Sequence, residues 1–366
     1  MSQADASHFS VTRLTGRSFI HPLFDYLVIG GGISLIATIV IWQSGRSDIV
    51  PMAVVPLILL LSNSAHFAAS TVRLYTKRGS FEALPFLTMA FPCVCLLLIA
   101  LCLAWPLRLG MNLQSLYLTW SPYHYAAQAY GLAVMYAYRS GCLLTTSDKR
   151  LLFWCAMIPF LRMFFCIQDT VLGADIGLAW IAPSSLYRLF EPYQAGLDRM
   201  LLIAACAAPL VLLIKTWRSS SGAIPMISLL MLVTNTVWFF ALEPINAFVW
   251  ATVFHGLQYL AIVVIFHVRD RLSEPTNRHG KLYHALWFYG WCVLLAYALF
   301  FCLPQAYQML GFGVDESVWV VIAAINVHHF IVDGYIWRLK KGDSNRQVVD
   351  SSAPAAAPRV SSPAGL

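Results

Sequence analysis

The stretch Leu84–Trp105, LPFLTMAFPCVCLLLIALCLAW, runs for 22 residues without a charged side chain. A helix rises 1.5 Å per residue, so about 20 apolar residues cover the hydrocarbon core of a bilayer. Open backbone groups find no water there, so a spanning segment closes its hydrogen bonds within itself, as a helix. The rest of the chain has the same character. Its 366 residues are 59% hydrophobic and only 11% charged, with a mean hydropathy of +0.68, whereas a soluble protein carries about 25% charged residues. The chain reads as an all-α, polytopic integral membrane helix bundle.

Outward from that stretch, apolar segments of spanning length recur near Phe24–Trp42, Pro51–Tyr75, Leu113–Tyr138, Leu151–Leu172, Leu197–Trp217, Pro225–Leu242, Asn246–Val268, Tyr283–Leu303 and Ser317–Trp337. With Leu84–Trp105 they make ten expected transmembrane helices. Residues 24–340 form the bundle, and residues 1–23 a polar N-terminal segment. Residues 341–366, rich in Ser, Ala and Pro, form a tail expected to be disordered. The first apolar run is too long for a signal-peptide core and lacks a cleavage site, so no leader is expected. The nine cysteines lie in or beside apolar segments and include no CxxC pair, which suits packing between helices.

Basic residues set the orientation. With ten crossings, one side collects the N-terminus, the even-to-odd connections and the C-terminus, and that side holds 19 of the 24 Lys and Arg. Both termini are therefore expected to be cytoplasmic, with the bacterial inner membrane as the compartment. The net charge of +7 follows from this asymmetry and implies no nucleic-acid partner.

Against this background the segment Asn326-Val327-His328-His329-Phe330-Ile331-Val332-Asp333 stands out. Ionisable groups are expensive at membrane depth and mark functional sites. His329 and Asp333 are spaced i,i+4 and share a helix face. Three more histidines lie inside even-numbered segments: His66, His124 and His255. Measured back from the basic residue closing each segment, all five sit roughly 14–22 Å deep at 1.5 Å per residue. Five imidazoles at one level on four co-oriented helices are expected to ligate metal, together with Asp333. Asn63, Gln128, Gln258 and Asn326 share faces with these histidines and are expected to orient them by hydrogen bonding. Tyr259, beside His255 and Gln258, is a candidate catalytic group. Arg162, near the same depth in the fifth segment, is another, with Asp333, Asp169 or an anionic ligand as its partner.

In residue type this layer is similar to the histidine-rich membrane oxygenases, including desaturases and carotene-cleaving membrane dioxygenases. The desaturase boxes HxxxH and HxxHH are absent. The resemblance implies a non-haem iron oxygenase, hydroxylase or desaturase acting on a lipid or isoprenoid. Its partners would be membrane lipids, an apolar small-molecule substrate and an electron donor. One or two iron ions are expected, with copper or zinc as alternatives. Adjacent histidines also resemble the paired copper ligands of haem–copper oxidases, which makes a haem or haem–copper redox protein the second reading. A proton-coupled transporter using the same His/Asp/Arg cluster is the third, and a scaffold without chemistry the fourth.

Overall fold

Apolar runs that must satisfy their own backbone groups fold as helices, and helix is the only regular structure among the described residues. The computed structural model describes residues 14–44, 50–51, 53–167, 175–219, 222–337 and 349. Among them, ten long helical stretches occupy the positions of the ten apolar segments. Helix α1 is a bent pair, Pro22–Ile29 and Gly32–Ser44, turning by 47°. It is followed by α2 (Val55–Thr76) and α3 (Phe86–Ala104), α4 (Met111–Arg139) and α5 (Thr146–Phe165). Then come α6 (Ser184–Trp217), α7 (Met226–Ala241), α8 (Pro244–Leu272), α9 (Lys281–Met309) and α10 (Val314–Ile336).

Six of these, α2, α3, α6, α8, α9 and α10, are long and apolar enough to cross a membrane, or seven if α1 counts as one span. The protein is an all-helical integral membrane bundle. Length and composition alone do not reach the expected ten crossings, for two reasons. Helix α7 has only 16 residues. Helices α4 and α5 are long enough, at 29 and 20 residues, but mix Gln, Ser, His, Tyr or basic side chains into the apolar pattern. Most of α4 is buried against neighbours, and a helix enclosed by protein does not need an apolar surface all round.

The bend in α1 has a local cause. Gly31 adopts a positive φ of 85°, and a Cβ there would lie 2.6 Å from Thr234 Cγ2. The broken turn frees backbone carbonyls, which side chains from other helices satisfy. Gln258 Nε2 donates to the Ile29 carbonyl at 3.0 Å, and Thr234 Oγ1 to the Gly30 carbonyl at 3.1 Å. Helix α5 begins in a capping box: Asp148 N donates to Thr145 Oγ1, and Thr145 N to Asp148 Oδ2. Lys215 of α6 then pairs with Asp148 at 2.8 Å.

A second polar knot ties the N-terminal strap to the bundle. Asp25 is fully buried. It accepts from the backbone N–H groups of Phe19, Ile20 and His21 and from the Tyr136 hydroxyl. Arg139 donates to the Ser18 carbonyl and Arg269 to the Phe19 carbonyl, and both guanidiniums lie over the Phe19 ring. Phe19 packs with Met135, Ile262 and Phe266, and Val349 is buried in the same cluster. Val349 is the one described residue of the tail expected to be disordered; residues 341–348 and 350–366 lie outside the described set.

Candidate metal centre

The site forms where α2, α4, α8 and α10 meet, because each presents one imidazole inward at the same level. Close approach of α2 and α8 depends on Gly256, next to His255. A Cβ at 256 would sit 3.0 Å from the Ser62 carbonyl oxygen. Small residues let membrane helices approach in this way. Ser62 belongs to a π-helical turn, Leu60–Ser64, just ahead of His66, and such turns re-aim the side chains that follow.

Four imidazoles close a ring. Centroid separations around it are 4.7 Å (His66–His255), 5.0 Å (His255–His124), 4.9 Å (His124–His329) and 4.3 Å (His329–His66), with 6.2 Å across from His66 to His124. All four rings are buried, His66 and His329 completely. His329 Nε2 lies 3.1 Å from His124 Nε2 and 3.4 Å from Asp333 Oδ2, and His124 Nε2 lies 4.0 Å from that oxygen. Two groups can each hold an ion, His66–His124–His255 and His124–His329–Asp333, with the ligand atoms of each within 4.8 Å of one another.

Hydrogen bonds aim several of these groups. Ser70 Oγ bonds His329 Nδ1 at 2.9 Å, leaving Nε2 toward the ring centre. Tyr259 donates to Asp333 Oδ1 at 2.6 Å and accepts from Trp337 Nε1 at 3.1 Å, leaving Oδ2 for the cluster. Tyr125 bonds Thr252 at 2.6 Å and packs its ring 4.4 Å from that of His255. By contrast, Nε2 of His255 meets no hydrogen-bond partner among the described residues, and His66 has at most the Asn63 backbone carbonyl beside it. Bare imidazole nitrogens buried beside a carboxylate are the donor set of a transition-metal site, so the residues fit a bound ion.

Of the histidines predicted as ligands, four converge and one does not. His328 is half-buried and stacks on Phe91 of α3 at 5.0 Å. Adjacent helix residues point about 100° apart, and here His328 turns toward α3 while His329 turns into the ring. Arg162 is not brought to the cluster either. Its Nε pairs with Asp198 Oδ1 at 2.6 Å, it donates to the Phe239 carbonyl, and it lies over the Phe240 ring. Asp169, once a candidate partner, lies outside the described residues. Of the four expected supporting groups, three bond backbone carbonyls instead of the imidazoles. Gln258 holds the α1 bend, Gln128 donates to the His255 carbonyl at 3.2 Å, and Asn326 donates to the Ile322 carbonyl of its own helix. Asn63 Oδ1 has no partner. Ser70 and Trp337 take the supporting role instead. Ser70 was signalled by its i,i+4 spacing from His66, whereas Trp337 at the end of α10 carried no signal.

A cavity of about 430 Å³ opens beside the ring, with His124, Asp333 and Tyr259 on one wall and Trp120, Leu132 and Phe330 among its apolar lining.

No protein-family model, curated protein or solved structure matches the chain. The functional reading therefore rests on this geometry.

Proposed function

We propose that the protein is an intramembrane metalloenzyme. His66, His124 and His255 would hold one transition metal, and His124, His329 and Asp333 form an overlapping second set of donors. The observation that carries this is the closed ring of four buried imidazoles. Nitrogens that share an ion at about 2.0–2.1 Å lie about 3 Å apart when adjacent, and the 3.1 Å between His124 and His329 nitrogens matches that spacing. The ring sides of 4.3–5.0 Å favour one or two bare ions over a haem, whose macrocycle needs a wide slot between its ligands.

Iron is the metal we propose, since imidazole with one carboxylate suits non-haem iron. The metal would supply activation of dioxygen, next to a cavity whose walls are mainly apolar. The substrate class is a lipid or isoprenoid dissolved in the membrane, and the reaction class oxygenation, hydroxylation or desaturation. Tyr259 and Trp337 would fix Asp333, Ser70 would fix the His329 tautomer, and the buried apolar walls would exclude water. Hydroxylation and desaturation each draw two electrons from a donor, which we propose as a partner alongside the membrane lipids; a dioxygenation needs none. We further propose that all ten long helices cross the membrane and that both termini face the cytoplasm of a bacterial inner membrane. The 19 basic residues on one side support that arrangement.

Elemental analysis of the full chain, purified in mild detergent from iron-replete medium, tests the reading. About one iron per chain is expected from the ligand count. His124→Ala and His329→Ala should each lower it, with unchanged size-exclusion behaviour. Metal-free wild-type protein would overturn the proposal.

A further inference from the structure

Residues lining the cavity beside the ring occur along α4 from Trp120 to Met135, about 22 Å of helix at 1.5 Å per residue.

One side of the slot has a low rim. Tyr123, Ala127 and Gly131 follow one another at i,i+4,i+8 on α4, and Phe330 and Gly334 line the slot from α10. Tyr123 is 40% exposed, and Gly334 is exposed as well. A Cβ at Gly131 or at Gly334 would meet no atom within 4 Å. Both glycines thus leave space where larger side chains would close the gap between the helices. Tyr123 lies 16 residues before Arg139, about 24 Å along α4, a depth at which an exposed side chain of a spanning helix would meet hydrocarbon.

We infer that this slot binds one linear hydrocarbon chain drawn sideways from the bilayer between α4 and α10, with the interior of the chain, not its end, against His124. The inference rests on the proposed function for what happens at that wall, and on the cavity alone for the binding. His124 sits four residues from Trp120 and eleven from Met135, so the slot extends about 6 Å one way and about 16 Å the other. A lining spread along successive turns of α4 suits a chain lying along the helix, and apolar burial supplies the affinity.

A diazirine-bearing palmitic acid, irradiated with the full-length protein in phosphatidylcholine nanodiscs and mapped by peptide mass spectrometry, tests this. Adducts are expected to concentrate on residues 120–135 and 330–337. Gly131→Leu and Gly334→Leu should reduce them roughly tenfold, the effect of displacing about two methylenes from an apolar site. Gly290→Leu, at another helical glycine with open space around its Cβ, should label like wild type. Metal content should stay unchanged in all three variants. Labelling spread over outward faces such as Ile203 of α6, or slot labelling undiminished in Gly131→Leu, would overturn the inference. Slot labelling in metal-free protein would sink the metal reading and spare this one.

Discussion

Two of the buried polar clusters among the described residues, around Asp25 and around the histidine ring, differ in how completely their groups are satisfied. Asp25 receives three backbone N–H groups and a tyrosine hydroxyl, and arginines brace the strap that supplies them. The histidine ring is tied through Ser70 and through Tyr259 with Trp337, while Nε2 of His255 has no hydrogen-bond partner among the described residues. Both clusters cost burial energy. The first recovers it within the chain and is a fastening. The second leaves part of it unrecovered, the difference expected between a staple and the site proposed above.

The sharpest way to break this contrast is at its saturated end. Asp25→Ala strands four donors in the interior, and removal of one partner from a buried charged network costs about 3–5 kcal/mol. A large fall in thermal stability in detergent should follow. A loss below about 1 kcal/mol would show that water enters and replaces the carboxylate.

His66→Ala and His255→Ala should behave in the opposite way. Each removes an imidazole without a side-chain hydrogen-bond partner among the described residues, so metal content should fall by an order of magnitude or more while the metal-free protein keeps its melting temperature within a few degrees. If the apo protein melts much earlier, the ring is a fastening too and the contrast fails.

Ser70→Ala tests the edge of the ring. It frees His329 Nδ1 and should weaken metal affinity about 10–100-fold, the scale for a group that orients a ligand. Competitive chelator titration measures it, and Ser70→Thr should restore most of the loss. His328→Ala is the smallest effect. It should leave metal content unchanged, since the ring stacks on Phe91 outside the cluster. Loss of metal there would mean that α10 turns in solution.

Helical class, membrane character and the helices that meet were legible because they depend on properties that accumulate along a chain: hydropathy, and residue count as position along a helix. His66, His124, His255 and His329 could be placed at one level by counting. Direction around a helix was harder to read, since 100° separates neighbours. That rotation removed His328 from the site, and side-chain reach sent Gln258 to the α1 bend. Arg162 was misread for a related reason. Its depth suited the cluster, but its partner Asp198 stands 36 positions along the chain, and no count reveals which face of one helix meets which of another.

The ring also carries a timetable. Its members come from positions 66, 124, 255 and 329, so synthesis of the chain delivers three walls long before the fourth. The contacts that aim His329 and Asp333 reach back to Ser70 and Tyr259. Until α10 docks, His66, His124 and His255 stand without the Asp333 carboxylate. If the ring holds an ion as proposed, capture in the mature geometry waits on the docking of that helix.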